Sequence, residues 1–253
     1  AVLLDMGDVE AFMALAAEEN IEATVVADVT ESGRLKMYYG GDTIVDLSRA
    51  FLDTTGAARR QDIVIKEQKS TYFDRMAVPS EIEDVIDTLL TDLNTASAKG
   101  LTEAFDGSIG AGSILMPFGG AYQSTPVDGM AAKLPVTGGD TDTATMMAHG
   151  YNPYMAQQSL FHGGIYSVVS ALSKLCALGA DYKKARLSMQ EYFGKLYDDK
   201  EKWAQPYTAL LGVLKAQAEM KTPAIGGKDS MSGTYEGVDV PPSVICFAVA
   251  DRK

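Results

Sequence analysis

An apolar run near the end of the chain constrains the fold most. Residues 239–250 read DVPPSVICFAVA, a segment rich in β-branched and aromatic side chains that suits a buried strand. Helical patterns precede it at residues 158–178, 184–197 and about 201–219. Strand signals also occur near the start, in AVLL and IEATVVADVT, and Gly40-Gly41-Asp42 predicts the turn of a hairpin. This mixture predicts an α/β or α+β fold.

Composition limits the classes of partner. The chain has 253 residues, 46% of them hydrophobic, which is enough for a substantial core. The formal net charge of −12 repels phosphate backbones, so we expect no nucleic-acid partner. Cys176 and Cys246 lie in apolar segments and are predicted to be buried small hydrophobes. No apolar run approaches the roughly 20 residues of a membrane span, so we expect no membrane partner and a cytoplasmic location.

The glycine-rich stretch at residues 224–233, AIGGKDSMSG, has two readings. Gly226 and Gly227 allow a ligand to approach the backbone, Lys228 can neutralise phosphate, and Asp229 can bind Mg²⁺. Hydroxyl groups follow at residues 230 and 232. The stretch is not a Walker A loop, because Thr222 stands where that motif has its first glycine. A phosphate site and a polar structural turn both remain open on composition.

Several segments in order resemble phosphoribosylformylglycinamidine synthase, in particular its large single-chain form in clostridia-like bacteria. They are FDGSIGAGSILMPFGGAYQSTPVDGMAAKLPV, TDTATMMAHGYNPY, LSMQEYFGKL, WAQPYTALLGVLKAQ and AIGGKDSMSGTYEGVDVPPSVICFAVA. The resemblance covers nearly the whole chain. It implies an ATP- and glutamine-dependent ligase of purine biosynthesis, which converts formylglycinamide ribonucleotide to formylglycinamidine ribonucleotide.

The resemblance also implies a domain plan. Residues 1–56 would be the tail of the C-terminal-type subdomain of the first synthetase half, residues 57–79 a linker, and residues 80–253 the N-terminal-type subdomain of the second half. The latter would be a PurM-like domain with a mixed sheet flanked by helices. The chain starts at Ala1 with a strand-like run, which we read as a slice of a longer protein or a processed product. Its partners would be the first synthetase half and the glutaminase domain of the parent chain, and the isolated piece would be inactive.

The second half in this family resembles a degenerate copy of the active site that binds ADP and magnesium. The resemblance assigns Gly226, Gly227, Lys228, Asp229, Ser230 and Ser232 to this auxiliary nucleotide site. Asp229 would be the metal-binding aspartate. Relatives carry a glutamate and an asparagine where this chain has Ser170 and Lys174, and a further aspartate falls near Lys133.

Replacing acids by lysines would remove magnesium ligands. We therefore expect a site that either binds an anion, such as the phosphates of ATP or ADP, without Mg²⁺, or is empty, with Asp229 paired to Lys133 or Lys174. Two alternatives remain. One is a structural module whose exposed sheet drives self-association. The other is a stand-alone ATP-binding enzyme of the aminoimidazole ribonucleotide synthetase superfamily, which the missing carboxylates disfavour.

Overall fold

The computed structural model describes residues 1–54, 60–69, 71–74, 81–105 and 107–253. These residues form two compact units, Ala1–Arg60 and Gln61–Lys253. The ends of the predicted linker, at residues 57–59 and 75–79, lie outside the described residues.

The first unit contains one longer helix and one hairpin. Its elements are a 3₁₀ turn at Met6–Asp8, helix α1 (Val9–Glu18), strands β1 (Arg34–Tyr39) and β2 (Asp42–Ser48), and helix α2 (Arg49–Leu52). The hairpin turn is confirmed: Gly40 and Gly41 take positive φ values of 59° and 91°, which favour glycine. The strands predicted at residues 1–4 and 21–30 are wrong, because neither segment is assigned as a strand.

The second unit begins with extended chain and short elements. Residues 61–69 contact two later helices: Val64 N–H donates to Lys200 O over 3.2 Å, Lys66 Nζ lies 2.6 Å from Glu201 Oε2, and Phe161 N–H donates to Gln68 Oε1 over 3.4 Å. Later elements are α3 (Ile82–Thr91), a 3₁₀ turn at Leu93–Thr95, α4 (Lys99–Thr102), a 3₁₀ turn at Ile109–Ala111, and the paired strands β3 (Phe118–Gly119) and β4 (Thr125–Pro126).

The remaining elements build a five-stranded sheet and its helices. They are β5 (Met130–Lys133), β6 (Ala144–Gly150), α5 (Pro153–Gln158), α6 (Leu160–Ala177), a 3₁₀ turn at Tyr182–Lys184, β7 (Arg186–Tyr192), α7 (Lys200–Met220), β8 (Ala224–Ser230), β9 (Thr234–Tyr235), β10 (Val238–Asp239) and β11 (Ser243–Arg252). The strand order is β5-β6-β11-β7-β8. Only the β7–β8 pair is parallel among these, so the predicted mixed sheet with flanking helices is confirmed.

Strand β11 occupies the centre of this sheet, as its apolar sequence predicted. The helix predicted at residues 184–197 is wrong, because that segment contains β7. Core residues from α6, α7, β7 and β11 form one cluster. Val168, Leu175, Leu187 and Phe193 have no exposed surface. Because this cluster joins residues of both helices, such as Val168 of α6 and Val213 of α7, to residues of the sheet, α6 and α7 cover one sheet face.

Close backbone approach fixes how the two long helices cross. A Cβ atom added to Gly212 of α7 would lie 2.0 Å from Phe161 O of α6, and one added to Gly164 would lie 2.2 Å from Ala209 O. Larger residues would therefore push the helices apart. Helix α6 is long and apolar enough to cross a membrane by length and composition alone, a property that core helices of globular proteins share.

The two cysteines differ in environment. Cys246 of β11 is fully buried, and this burial raises the pKa of its thiol to about 12. Cys176, near the end of α6, is exposed, so its predicted burial is wrong. Cys246 behaves as a small hydrophobic residue, because a thiol with so high a pKa is not a nucleophile near neutral pH.

Candidate functional site

The glycine-rich stretch is a strand rather than a loop. Residues 224–230 form β8 and pair in parallel with β7, with Lys228 opposite Gln190 and Asp229 opposite Glu191. Successive N–H groups of a strand point to opposite sides, so they cannot converge on one anion as the amides of a nest do. The backbone cradle suggested by the glycines is therefore not formed, and any ligand here must be held mainly by side chains.

The strand divides the predicted residues between two faces. Residues paired across a sheet share a face, and successive residues alternate. Gly227 and Asp229 thus lie on the face that α6 and α7 cover, because their partners Met189 and Glu191 are on it. Gly226, Lys228 and Ser230 lie on the opposite face, which we call the open face.

Side chains on the open face of β8 suit a phosphate. The Lys228 ammonium group supplies positive charge, and the Oγ atoms of Ser230 and Ser232 lie 3.3 Å apart. Gln190 Nε2 donates to Lys228 O over 3.1 Å and fixes this part of the strand. A Cβ added to Gly226 would meet no atom within 4 Å, so there is free space beside the lysine.

The helix-covered face of the same strands carries two acids. Glu191 is only 7% exposed, and its Oε2 atom is buried without a hydrogen-bond partner among the described residues. Burial, and secondly the charge of Asp229, raise the pKa of Glu191 to about 7. Asp229 itself is exposed, because β8 is the edge strand. Sequence reasoning missed Glu191; its signal is a charged residue at a core position of the alternating pattern Leu187, Met189.

Lys133 does not approach this strand. It ends β5, at the opposite edge of the sheet from β8, so four strand spacings of about 4.8 Å separate the two edge strands by about 19 Å. Its Nζ atom lies 2.7 Å from Asp140 Oδ1, and this hydrogen bond lowers the pKa of Asp140. The predicted Lys133–Asp229 pair is therefore wrong.

Lys174 also has a different partner. Its Nζ atom lies 2.7 Å from Oδ2 of Asp128, which lies two residues before β5. Ser170 is one turn earlier on α6 and is half-buried. The predicted Lys174–Asp229 pair is wrong, and the idea that amino groups replace a metal ion at β8 fails with it. Asp128 was missed; an acid next to a glycine just before a strand is the signal that could have found it.

The predicted magnesium ligands do not come together. Asp229 belongs to β8, whereas Ser170 and Lys174 are on α6 beside Asp128. Within the described residues, no group of three or more His, Cys, Asp or Glu side chains could hold a metal ion. The residues assigned by the resemblance therefore do not fit a single Mg²⁺ site in this structure.

Known proteins match this chain over nearly its whole length. The "Phosphoribosylformylglycinamidine synthase subunit PurL" of Thermoplasma acidophilum is 22% identical over 240 residues, which are 93% of this chain and 30% of the relative. The chain resembles PurL. The likeness predicted from the sequence segments is thereby confirmed, although the chain spans only about a third of the length of these relatives. No family model matches the sequence.

Solved PurL structures share the fold. Thermotoga maritima PurL complexed with AMPPCP aligns with a TM-score of 0.71 at 14% identity, covering 99% of this chain and 37% of that chain. The structure of PurLQS from the same organism gives 0.67 at 15% identity, with the same coverage. Other neighbours are T. maritima PurL complexed with ATP, ADP or FGAR. At these identities the likeness establishes the fold alone.

Proposed function

We propose that this chain is a segment of a PurL-type phosphoribosylformylglycinamidine synthase. The parent protein would be a ligase that uses ATP and glutamine to convert formylglycinamide ribonucleotide to formylglycinamidine ribonucleotide. The observation that carries this proposal is the similarity to PurL along 93% of the chain, together with the shared fold. The partners would be the remaining synthetase half and the glutaminase domain, and the location would be cytoplasmic. The solved structure of PurLQS, which shares the fold, supports a parent protein that belongs to a larger assembly.

Within that parent, we assign the two units to two subdomains. The first unit would be the tail of the C-terminal-type subdomain of the first half, and the second unit the N-terminal-type subdomain of the second half. The contacts of Val64 and Lys66 with α7 favour a boundary near residue 60 rather than residue 80. The large single-chain type of parent also remains part of this proposal.

The second unit would bind the phosphates of ATP or ADP on the open face of β8. Lys228 provides the charge, and Ser230 and Ser232 provide hydroxyl groups that can donate to phosphate oxygens. Neighbouring PurL structures with ATP, ADP and AMPPCP support a nucleotide ligand. The resemblance places no catalytic residue in this segment. The role of the nucleotide would therefore be structural, and the isolated chain would not form the amidine.

Calorimetry with ADP tests the assignment. We expect Lys228→Gln to weaken ADP binding by a factor of about 10 to 150, since a hydrogen bond to a charged group contributes about 1.5–3 kcal/mol. Lys215→Gln is the matched control, because Lys215 lies on α7 and pairs with Glu219; ADP binding should not change. Equal affinity of Lys228→Gln and the unaltered chain would contradict the assignment. Clear amidine formation by the isolated chain would contradict the structural role.

A structural role without nucleotide is the second candidate. The open face carries Phe247 and Val249 on the central strand and Met147 beside them, all half-buried. The helices α6 and α7 cover the other face, so these apolar groups are available to a second sheet. This function predicts self-association of the isolated chain, even if ADP does not bind.

A further inference from the structure

Residues 61–69 form a segment without an assigned helix or strand, which we call the strap. Two ion pairs connect it to the start of α7. Asp62 Oδ2 lies 3.1 Å from Lys200 Nζ, and four residues later Lys66 Nζ lies 2.6 Å from Glu201 Oε2. The strap thus supplies an acid and then a base, whereas α7 supplies a base and then an acid. Exchanging the two contacts would bring like charges together, so the pairs fix one register of the strap on the helix.

The strap is held mainly by surface contacts. All four charged side chains of the two ion pairs are more than half exposed. Val64 and Ile65 of the strap are 48% and 46% exposed. A cavity of about 190 Å³ lies between the strap and the two long helices, and its lining includes the buried residues Ala204 and Thr208. Because the strap buries little apolar surface and exposed ion pairs contribute little, its local stability is low.

Two further hydrogen bonds attach the strap, and water can replace both. Val64 N–H donates to Lys200 O over 3.2 Å, and Gln68 Oε1 accepts from Phe161 N–H over 3.4 Å. Phe161 lies in the first turn of α6, where an N–H group has no partner within its own helix. The close glycine contacts between α6 and α7 do not involve the strap. Detachment of the strap would therefore leave the sheet and the crossing of the two helices intact.

We propose that the strap is a detachable latch that sets how much free chain joins the two units. It follows directly on Arg60, where the first unit ends. When detached, its nine residues add up to about 30 Å of free chain, at about 3.3–3.6 Å per residue. At about 1 M salt the Debye length falls to about 3 Å, so the exposed ion pairs weaken and the detached state gains population. The latch needs no nucleotide and does not depend on the proposed function.

Amide hydrogen exchange of the full chain, followed by NMR, tests the latch. The Val64 N–H reports on the strap, and the amides of β11 report on the core. We expect Val64 to exchange much faster than the β11 amides, because the strap opens locally. Lys66→Gln and Glu201→Gln should each speed the exchange of Val64 about two- to fivefold, the effect of removing one exposed ion pair. Salt at about 1 M should also speed it in the unaltered chain, and the β11 amides should not change.

Lys69→Gln is the matched control. Lys69 Nζ lies 3.0 Å from Glu67 Oε2, so this ion pair lies within the strap and does not connect it to α7. The variant removes the same charge as Lys66→Gln, and the exchange of Val64 should not change. A charge exchange adds a rescue: Lys66→Glu should speed the exchange of Val64, and adding Glu201→Lys should slow it again. These positions are all exposed, so the variants should fold.

A distance measurement tests the change in free chain length. Cys176 on α6 is exposed and takes one spin label, whereas Cys246 is buried; the second label is placed at Glu10→Cys on α1. In the double variant Asp62→Lys/Lys66→Glu, both contacts with α7 become repulsive, and the strap should detach. We expect the distances between the two labels to extend to longer values in this variant than in the chain with an unaltered strap.

Three results would overturn the proposal. The first is exchange of Val64 as slow as that of the β11 amides, because the strap would then open only together with the core. The second is an equal effect of Lys66→Gln and Lys69→Gln, which would mean that the pair with α7 does not hold the strap. The third is an unchanged distance distribution in Asp62→Lys/Lys66→Glu, which would mean that the strap does not control the length of free chain. None of these results depends on whether ADP binds.

Discussion

The two units differ in what holds them together. In the second unit, side chains from α6, α7, β7 and β11 meet in a common cluster and several have no exposed surface. In the first unit no described residue of α1, β1, β2 or α2 is buried, and Leu3, Val26 and Val29 are each more than 80% exposed. The first unit thus forms a helix and a hairpin without a buried core. The apolar pattern of a sequence can specify a helix or a strand, but the stability of that element requires its apolar face to be covered.

The largest expected effect contrasts a leucine from each unit. Leu175→Ala in α6 should lower the free energy of unfolding by about 2–5 kcal/mol, because the side chain is fully buried and leaves a cavity. Leu15→Ala in α1 should change it by less than about 0.5 kcal/mol, since Leu15 is 61% exposed. Urea unfolding followed by circular dichroism measures both. Similar losses in the two variants would contradict the difference in packing between the two units.

The next effect concerns the buried acid of the second unit. Burial raises the pKa of Glu191 from its usual 4.5 to about 7 in the folded chain. The folded state therefore binds more protons between these values, and stability falls as pH rises from about 4.5 to about 7. The loss is about 3 kcal/mol at 1.36 kcal/mol per pH unit. Below this window the pH-dependent loss is absent, and above it the loss is constant.

Glu191→Gln isolates this contribution. The difference in unfolding free energy between variant and unaltered chain, measured with chelator present, should grow in favour of the variant from pH 5 to pH 8. Glu219→Gln is the control, because Glu219 is exposed on α7; it should produce no comparable slope. A difference that stays constant with pH would show that burial does not shift the pKa of Glu191.

Packing between α6 and α7 gives a smaller effect. Gly212→Ala should destabilise the second unit by about 2 kcal/mol, because its Cβ would lie 2.0 Å from Phe161 O. This backbone oxygen cannot move unless helix α6 itself shifts. Gly139→Ala is the control, as a Cβ there meets nothing within 4 Å. If both substitutions had equal effects on the urea midpoint, the close helix crossing would be contradicted.

Elements with a long or continuous apolar pattern could be predicted from the sequence, whereas strands that depend on a pairing neighbour could not. The long helices α6 and α7 and the central strand β11 were predicted, because their apolar patterns are long or continuous. β7 was mistaken for a helix, since Glu191 interrupts the alternation of Leu187 and Met189. The strands expected at residues 1–4 and 21–30 had the right composition, but a strand needs a neighbour to pair with, and composition does not supply one.

The candidate site shows the same limit. Its residues could be named from the resemblance, but their grouping depends on strand order, which no local pattern encodes. The ammonium groups of Lys133 and Lys174 pair with Asp140 and Asp128 instead of Asp229, because β5 and β8 are opposite edges of the sheet. The alternation of β8 further separates Lys228 from Asp229.

The smallest expected effect concerns the open face of the second unit. If this face associates with a second sheet, sedimentation over a range of concentrations should reveal self-association, and Phe247→Lys should weaken it at least tenfold by placing a charge among Met147 and Val249. Tyr207→Lys adds the same charge at an exposed position of α7, and association should not change. A strictly monomeric chain at all concentrations would mean that this face, although uncovered by α6 and α7, does not pair with a copy of itself.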